Sequence, residues 1–347
     1  MSREESRTSP PPLPRTRLTG AFERRVARAL AGHVAQDAPL VVACSGGPDS
    51  LATLVAVART HPGRVTAAHF DHRLRDTDEV AGERDLVERV ADLVGAAFSS
   101  GRAARTPGAR DEATARAARY RWLARACMAA GAAACATGHT QDDQAETVLL
   151  RIVRGTGVGG AAGMAAAAGW PVPVRGVPPP RLLRPLLTIG RAEVEAYLDA
   201  LGLAAAIDPS NATLDYARNR VRLQVIPELR ALNPQATRQI AAFAAQARSD
   251  DEALSAWAGS AFEAIGDRDA AGRSVALDRA TLLALPVAVA TRVIRIAAAQ
   301  LGLSIDRAEA EAALHAARAG GRRAALGGTF IASRRGGALV IAAADAR

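Results

Sequence analysis

The residues of this chain best suited to chemistry stand in a few short stretches, the first of which is Ser45-Gly46-Gly47-Pro48-Asp49-Ser50. Two glycines leave no side chain in the way of an anion, and proline suits a first helical turn. The N–H groups at such a helix start are unpaired and carry partial positive charge. The turn is therefore a phosphate cradle, and its natural ligand is a nucleotide. A Walker-type loop sets a lysine after its glycines, but all 44 basic residues here are arginine, so phosphate charge must be met by backbone, arginine and metal.

Four further stretches carry reactive side chains: HFDHRLR at 69–75, ARYRWL at 118–123, GHTQDDQAET at 138–147 and DPSNATLDYARNRVRLQVIPEL at 208–229. His69 and Asp71 end an apolar run, from which they can reach a base or ribose; His72 is the weaker of the two histidines. His139, Asp143 and Glu146 follow one another at spacings of four and three, on one helix face. Thr140 with Asp143 also resembles a capping box, and acids in a first turn gain about 0.3 to 1 kcal/mol from the helix dipole. Three acids and a histidine exceed that need, because like charges repel unless a cation, either a metal or an ammonium group, sits among them. Arg218 and Arg222 stand at helical spacing beside Asn219, either as contacts to substrate phosphate or carboxylate or as a solvated face.

These side chains need a scaffold to bring them together. Leu40 to Cys44 is a short apolar run bounded by a breaker and reads as a buried strand, while Leu51, Leu54, Val55 and Ala58 recur on one face of the helix after it. Val65 to Phe70 and Ala133 to Thr137 read as two more strands. Helices are expected over about Leu18 to Ala35, Glu79 to Val94 and Asp111 to Ala130, and again from Gln141. Alternating strands and helices imply an α/β fold, with helices on both faces of a parallel sheet and ligands at the carboxyl ends of its strands. Residues 1–17, rich in proline, serine and arginine, read as a disordered arm, 18–233 as the principal domain and 155–190 as an irregular Gly/Pro-rich connection rather than another strand–helix unit. Residues 234–347 read as a smaller, mainly helical domain with helices at about 235–265, 286–301 and 306–319. Two short strands, Ala325 to Ser333 and Ala338 to Ala343, are expected to end it.

Composition narrows the class of function. With 347 residues, 49% of them apolar, the chain supplies more than one core. No long apolar run escapes charge or glycine, and the first residues hold no apolar signal segment, so a cytoplasmic protein without a membrane partner is expected. Cys44, Cys127 and Cys135 form no C-x-x-C, which argues against a disulfide framework and a cysteine metal site. The net charge of +9 is unevenly spread: between Thr147 and Ala192 stand Arg151, Arg154, Arg175, Arg181, Arg184 and Arg191 with no acid, whereas Asp76 to Asp92 is strongly acidic. A polyanion such as RNA is the natural partner of the positive stretch, with affinity that falls steeply with salt.

Taken together, these motifs resemble the tRNA(Ile)-lysidine synthetases, a branch of the PP-loop ATP pyrophosphatases. The likeness rests on Ser45 to Ser50, His69-Phe70-Asp71-His72, Arg119-Tyr120-Arg121, Gly138-His139 with Asp142 to Thr147, Arg154-Gly155-Thr156-Gly157, and Asp208-Pro209-Ser210-Asn211 with Arg218-Asn219, and it covers about 20–235. Thr140 departs from the family's frequent second histidine, and the chain is too short for the extra C-terminal domain of longer members. The resemblance implies a PP-loop domain of the adenine nucleotide alpha hydrolase type, and a ligase that adenylates the wobble cytidine of tRNA(Ile) with a CAU anticodon, releasing pyrophosphate. The amine of free L-lysine then displaces AMP. It also implies ATP and Mg²⁺ as cofactors, with Ser45, Gly46, Gly47, Pro48, Asp49, Ser50, His69, Asp71 and His139 at ATP and Asp49 at the metal. Asp49, Arg119, Asp143 and Glu146 would be catalytic, and Asp143, Glu146 and Arg218 would bind lysine. Arg151, Arg154, Arg184 and Arg222, with the 234–347 domain, would contact tRNA; a homodimer is left open. A PP-loop tRNA thiolase and an RNA-binding protein with a decayed nucleotide site are the competing readings.

Overall fold

Thr16 caps α1 (Arg17–Leu30), and strands and helices then alternate in a computed structural model that describes residues 12–72, 77–104, 112–206, 213–214, 216–319, 323–328 and 330–343. In order these are β1 (Leu40–Ala43), α2 (Pro48–Thr60), β2 (Val65–Asp71), α3 (Thr77–Leu93), β3 (Ala97–Arg102), α4 (Glu112–Ala130), β4 (Ala134–Thr137) and α5 (Gln141–Val153). There follow α6 (Val158–Ala161), β5 (Ala167–Ala168), β6 (Arg181–Leu183), α7 (Arg191–Leu201), α8 (Ala217–Arg220), a π-helical turn over Val221–Val225 and α9 (Ile226–Leu232). Residues 1–11 of the expected arm, Arg73 to Asp76, Asp111 and the Asp208 to Asn211 motif lie outside the described residues.

The sheet order is β3-β2-β1-β4-β6-β5, parallel throughout except for β5 against β6. Alternation along β1 explains the layering. Leu40, Val42 and Cys44 join the core under α1, α2 and α7, whereas Val41 and Ala43 pack with Tyr120, Leu123 and Cys127 of α4.

Two sequence expectations need correction here. The 155–190 segment is not wholly irregular, since it supplies β6, which pairs in parallel with β4 and leads through Gly190 into α7. Three strand residues amid glycine and proline carry too little periodicity to be read. The sheet also has an edge strand, β3, built from the small and polar AFSSGR and half exposed, so it makes no apolar run. Its Gly101 is required by packing, because a Cβ there would stand 2.0 Å from the Trp122 indole nitrogen.

The chain divides into two compact units, Met1–Ala245 and Gln246–Arg347, within α10 (Ala236–Ile265) and later than the expected break after Asn233. The second unit holds β7 (Gly266–Arg268), β8 (Ser274–Asp278), α11 (Arg279–Ala284), α12 (Val287–Gln300), α13 (Arg307–Arg318), β9 (Arg323–Leu326), β10 (Phe330–Arg335) and β11 (Ala338–Ala343). Its strands form one antiparallel sheet, ordered β7-β8-β11-β10-β9, so the mainly helical expectation understated it. The expected strand Ala325 to Ser333 is in fact a hairpin. Gly327 and Gly328 take positive φ and turn the chain, so that Leu326 pairs with Phe330.

Candidate active site

The glycine turn joins β1 to α2 at the carboxyl edge of the parallel sheet. Gly46 has φ +93°, a conformation that favours glycine. Ser50 ties the turn together: its Oγ accepts from the Ser45 N–H at 3.1 Å and donates to the Gly47 carbonyl at 2.9 Å. Gly47 is the N-cap and Pro48 opens the helix. A Cβ on Gly47 would meet only Ser45 Oγ, at 3.7 Å, so the folded chain has room for one. Gly47→Val is therefore expected to leave the melting temperature within a few degrees of wild type while removing ATP binding, as calorimetry would measure; normal ATP affinity would place the nucleotide elsewhere.

Asp49, in the first turn of α2, has one carboxylate oxygen, Oδ1, buried without a hydrogen-bond partner among the described residues. The other lies 3.5 Å from Arg191 Nη2. Burial raises the carboxyl to about 6, outweighing Arg191. A buried, under-coordinated carboxylate beside a phosphate cradle fits a hard cation such as Mg²⁺. Among the described residues no group of three or more His, Cys, Asp or Glu could hold a metal by itself, so such an ion would share its shell with the nucleotide and water.

His69 and Cys44 lie beneath the turn. His69 Nδ1 is 3.1 Å from the Cys44 carbonyl, where only a protonated nitrogen can bond, and burial lowers the ring's pKa. Nε2 therefore bears a lone pair, and it is buried with no partner among the described residues. Asp71 is paired with Arg102 at 2.8 Å. Burial pushes the Cys44 thiol up to about 11, so it stays protonated and unreactive. His139 bonds Thr137 Oγ1 through Nδ1 at 2.8 Å, and burial pushes it down to about 3, so it is neutral. The charge of the Arg119 guanidinium, on α4, lowers the pKa of both Cys44 and His139.

The acids of α5 are buried, with Asp143 at 7% and Glu146 at 1% exposure. Their cations come from this chain. Arg218 Nε lies 2.7 Å from Glu146 Oε2 and its Nη2 lies 2.9 Å from Asp143 Oδ1. Arg222 Nε lies 2.6 Å from Glu146 Oε1, and its Nη2 reaches Glu146 Oε2 at 3.1 Å. Asp143 Oδ2 accepts from the Thr140 N–H at 2.8 Å, closing the capping box. Burial alone would raise the Asp143 carboxyl, but Arg218 and the Thr140 N–H outweigh it and hold it below the usual range. Asp142 accepts from the Arg191 N–H at 2.7 Å and from Arg230.

The structure thus brings together Asp49, His139, Asp143, Glu146, Arg218 and Arg222, and it adds Arg191 and Arg230, which the motif reading missed. Arg230 had a signal, since Arg218, Arg222 and Arg230 fall at multiples of four. Of the four arginines expected at tRNA, only Arg154 is exposed. Arg151 donates to the carbonyls of Gly160 and Gly163, Arg184 is buried against the Ala165 carbonyl, and Arg222 holds Glu146.

Comparison with known proteins agrees with this geometry. A family described as the PP-loop domain matches residues 18–229. A tRNA(Ile)-lysidine synthase of Thermobifida fusca is 37% identical over 317 residues, 87% of this chain and 88% of that one. A tRNA(Ile)-lysidine synthase of Salinispora tropica is 40% identical over 299 residues, 81% and 82%. Among solved structures, a U34-tRNA thiolase of Methanococcus maripaludis with a four-iron four-sulfur cluster shares the fold, with a TM-score of 0.54 at 16% identity over 66% of this chain and 79% of that one. Phosphate turn, buried acids and sequence lead to one conclusion: the chain belongs to the tRNA(Ile)-lysidine synthase family of PP-loop proteins.

Proposed function

We propose that this chain is the ligase that makes lysidine on tRNA(Ile). It uses ATP to adenylate the ring carbonyl oxygen of the wobble cytidine in the CAU anticodon, releasing pyrophosphate; the amine of free L-lysine then forms the new C–N bond as AMP leaves. One observation carries this reading. Arg191 lies 3.5 Å from Asp49 and 4.0 Å from Asp143, so a pair of acids fit for an ammonium group adjoins the phosphate turn.

The residues divide the work accordingly. The N–H groups of the 45–50 turn bind phosphate, and the free Nε2 acceptor of His69 suits an amino group of the base. Mg²⁺ held at Asp49 would neutralise the departing pyrophosphate. Arg119 meets charge developing at the α-phosphate. Asp143 and Glu146 receive the lysine ammonium, whose reference pKa of about 10.4 means that it must shed a proton before attack. An anticodon-loop base needs only unstacking, on the order of a few kcal/mol, to be presented. Three buried cysteines, two of which, Cys44 and Cys127, have their thiols pushed well up, count against thiolase chemistry. No described helix is long and apolar enough to cross a membrane, and we read the enzyme as cytoplasmic.

The test is nucleoside analysis of tRNA incubated with the protein, ATP and labelled lysine. A labelled cytidine derivative is expected, and unlabelled tRNA despite ATP turnover would overturn the reading. On the tRNA side, exposed Arg154, Arg175 and Arg181 carry the docking proposal in place of the engaged Arg151 and Arg184. Replacing all three with glutamine is expected to reduce the slope of log affinity against log salt by about two to three, with ATP binding unchanged. A salt-independent tRNA affinity would remove the positive docking face.

A further inference from the structure

The acid pair expected to bind an ammonium group is already occupied. Three of the four carboxylate oxygens of Asp143 and Glu146 take hydrogen bonds from Arg218 and Arg222, and the fourth is held in the Thr140 cap. With Arg191 shared between Asp143 and Asp49, three carboxylates and three guanidinium groups make a neutral set around the two buried acids. Adding a substrate ammonium to that set would bury an uncompensated positive charge, which is costly. Neutrality survives only if one guanidinium leaves. Arg218 and Arg222 differ in how readily they could do so: the Arg218 side chain is 37% exposed and makes one bond to each acid, whereas Arg222 is 20% exposed, makes two bonds to Glu146 and also reaches Asp143 Oδ1 at 3.4 Å, so both acids keep a partner when Arg218 leaves.

We propose that lysine enters by exchange with Arg218, and that Arg218 is a specificity-determining residue for the amino acid. The incoming side-chain ammonium takes the bonds of the Arg218 guanidinium to Glu146 and Asp143. The released guanidinium then pairs with the substrate's α-carboxylate, a planar acceptor that fits the guanidinium fork. No proton or covalent bond changes hands in this step; one set of ion pairs replaces another. An amine without the carboxylate could displace Arg218 only by leaving it unpaired, so the site selects for a cation and a carboxylate on one molecule. This proposal rests on the reading of Asp143 and Glu146 as the lysine site and says how that site is kept closed.

The test compares L-lysine with cadaverine, which is lysine without its carboxylate, by calorimetry on the full chain with ATP present. For the wild type, lysine should bind at least about tenfold tighter than cadaverine, the lower end for a charge-assisted pair. In Arg218→Gln the acids are uncontested, so cadaverine should bind about tenfold tighter than it does to wild type, and lysine's advantage should fall to about threefold or less. Arg218→Lys, which keeps a competing cation, should leave cadaverine weak and serves if the glutamine variant folds poorly. If Arg218 only anchored the carboxylate, cadaverine binding would not change in Arg218→Gln; if it were only structural, both ligands would weaken alike. Either result overturns the exchange while leaving the site intact. Lysine binding that is insensitive to Glu146→Gln would instead remove the underlying assignment.

Discussion

Gly138→Ala is expected to abolish ATP binding and to lower tRNA-dependent pyrophosphate release by at least about a hundredfold, through a single methyl group. A Cβ at Gly138 would stand 2.7 Å from both the carbonyl carbon and oxygen of Asp49 and 2.9 Å from the Ser50 nitrogen. All three are backbone atoms of the first turn of α2, which no rotamer change can move. Gly138 is where β4 hands over towards α5, so the close approach joins the phosphate turn to the acid-bearing helix, backbone against backbone. Relief requires one of them to shift by several tenths of an ångström. A shift of α2 turns its N–H groups off the phosphates, and a shift of α5 carries Asp143 away from Asp49. Overpacking of this kind costs about 1 to 3 kcal/mol, which a domain of this size can survive, so the loss of activity should far exceed the loss of stability. Gly169→Ala is the control, because a Cβ there would meet nothing within 4 Å. Near-normal ATP affinity in folded Gly138→Ala would mean that the two helix starts are not coupled.

Gly138 also marks the limit of what the sequence disclosed. The turn at 45–50, the β1–α2 unit and the acids at the start of α5 were legible because each is local: a breaker between an apolar run and a helical period, or a spacing of three and four. The close approach of Gly138 to Asp49 is not local, since it depends on β1 and β4 lying side by side in the sheet. The partners of the acids were hidden for the same reason. The surplus of carboxylates was read as asking for a metal or an ammonium group, whereas their partners in the fold are Arg218 and Arg222, which come from more than seventy residues downstream and reach Glu146 through the tertiary fold. Arg151 and Arg184 misled in the opposite sense, because an acid-free, arginine-rich segment reads as a charged surface whether its guanidinium groups face solvent or carbonyl oxygens. Local pattern was also too thin for β3 and β6, one a half-exposed edge and the other three residues long.

Asp49→Asn and Glu146→Gln should differ both in the half-reaction they impair and in the sign of their effect on stability. Asp49 is ionised in the working enzyme at a cost: burial holds its carboxyl at about 6, and Oδ1 has no partner among the described residues. The folded chain binds that proton more tightly than the unfolded chain does, so the stabilisation is present below the unfolded value of about 4 and is lost as pH rises through about 6. Above pH 7 the ionised group opposes folding by about 2 to 3 kcal/mol at most. Asp49→Asn should therefore raise the melting temperature of the ATP-free protein at pH 8 and give no gain at pH 4. It should also lose pyrophosphate release, because the cation proposed at this carboxylate would no longer be held. Glu146→Gln does the reverse. It leaves the half-buried Arg222 guanidinium beside a neutral amide, with Asp143 Oδ1 at 3.4 Å as its remaining carboxylate; breaking a fully buried pair costs about 3 to 5 kcal/mol, which is the upper bound here, so the melting temperature should fall. Pyrophosphate release without lysine should persist, while the lysine concentration required should rise about 10-fold to 150-fold, one charge-assisted bond having gone. The measurements are thermal melts of both variants at pH 4 and pH 8, pyrophosphate release without lysine, and lysine incorporation across a concentration series. If Glu146→Gln lost adenylation as completely as Asp49→Asn while its lysine dependence stayed at the wild-type value, the acids of α5 would serve the nucleotide and not the amino acid.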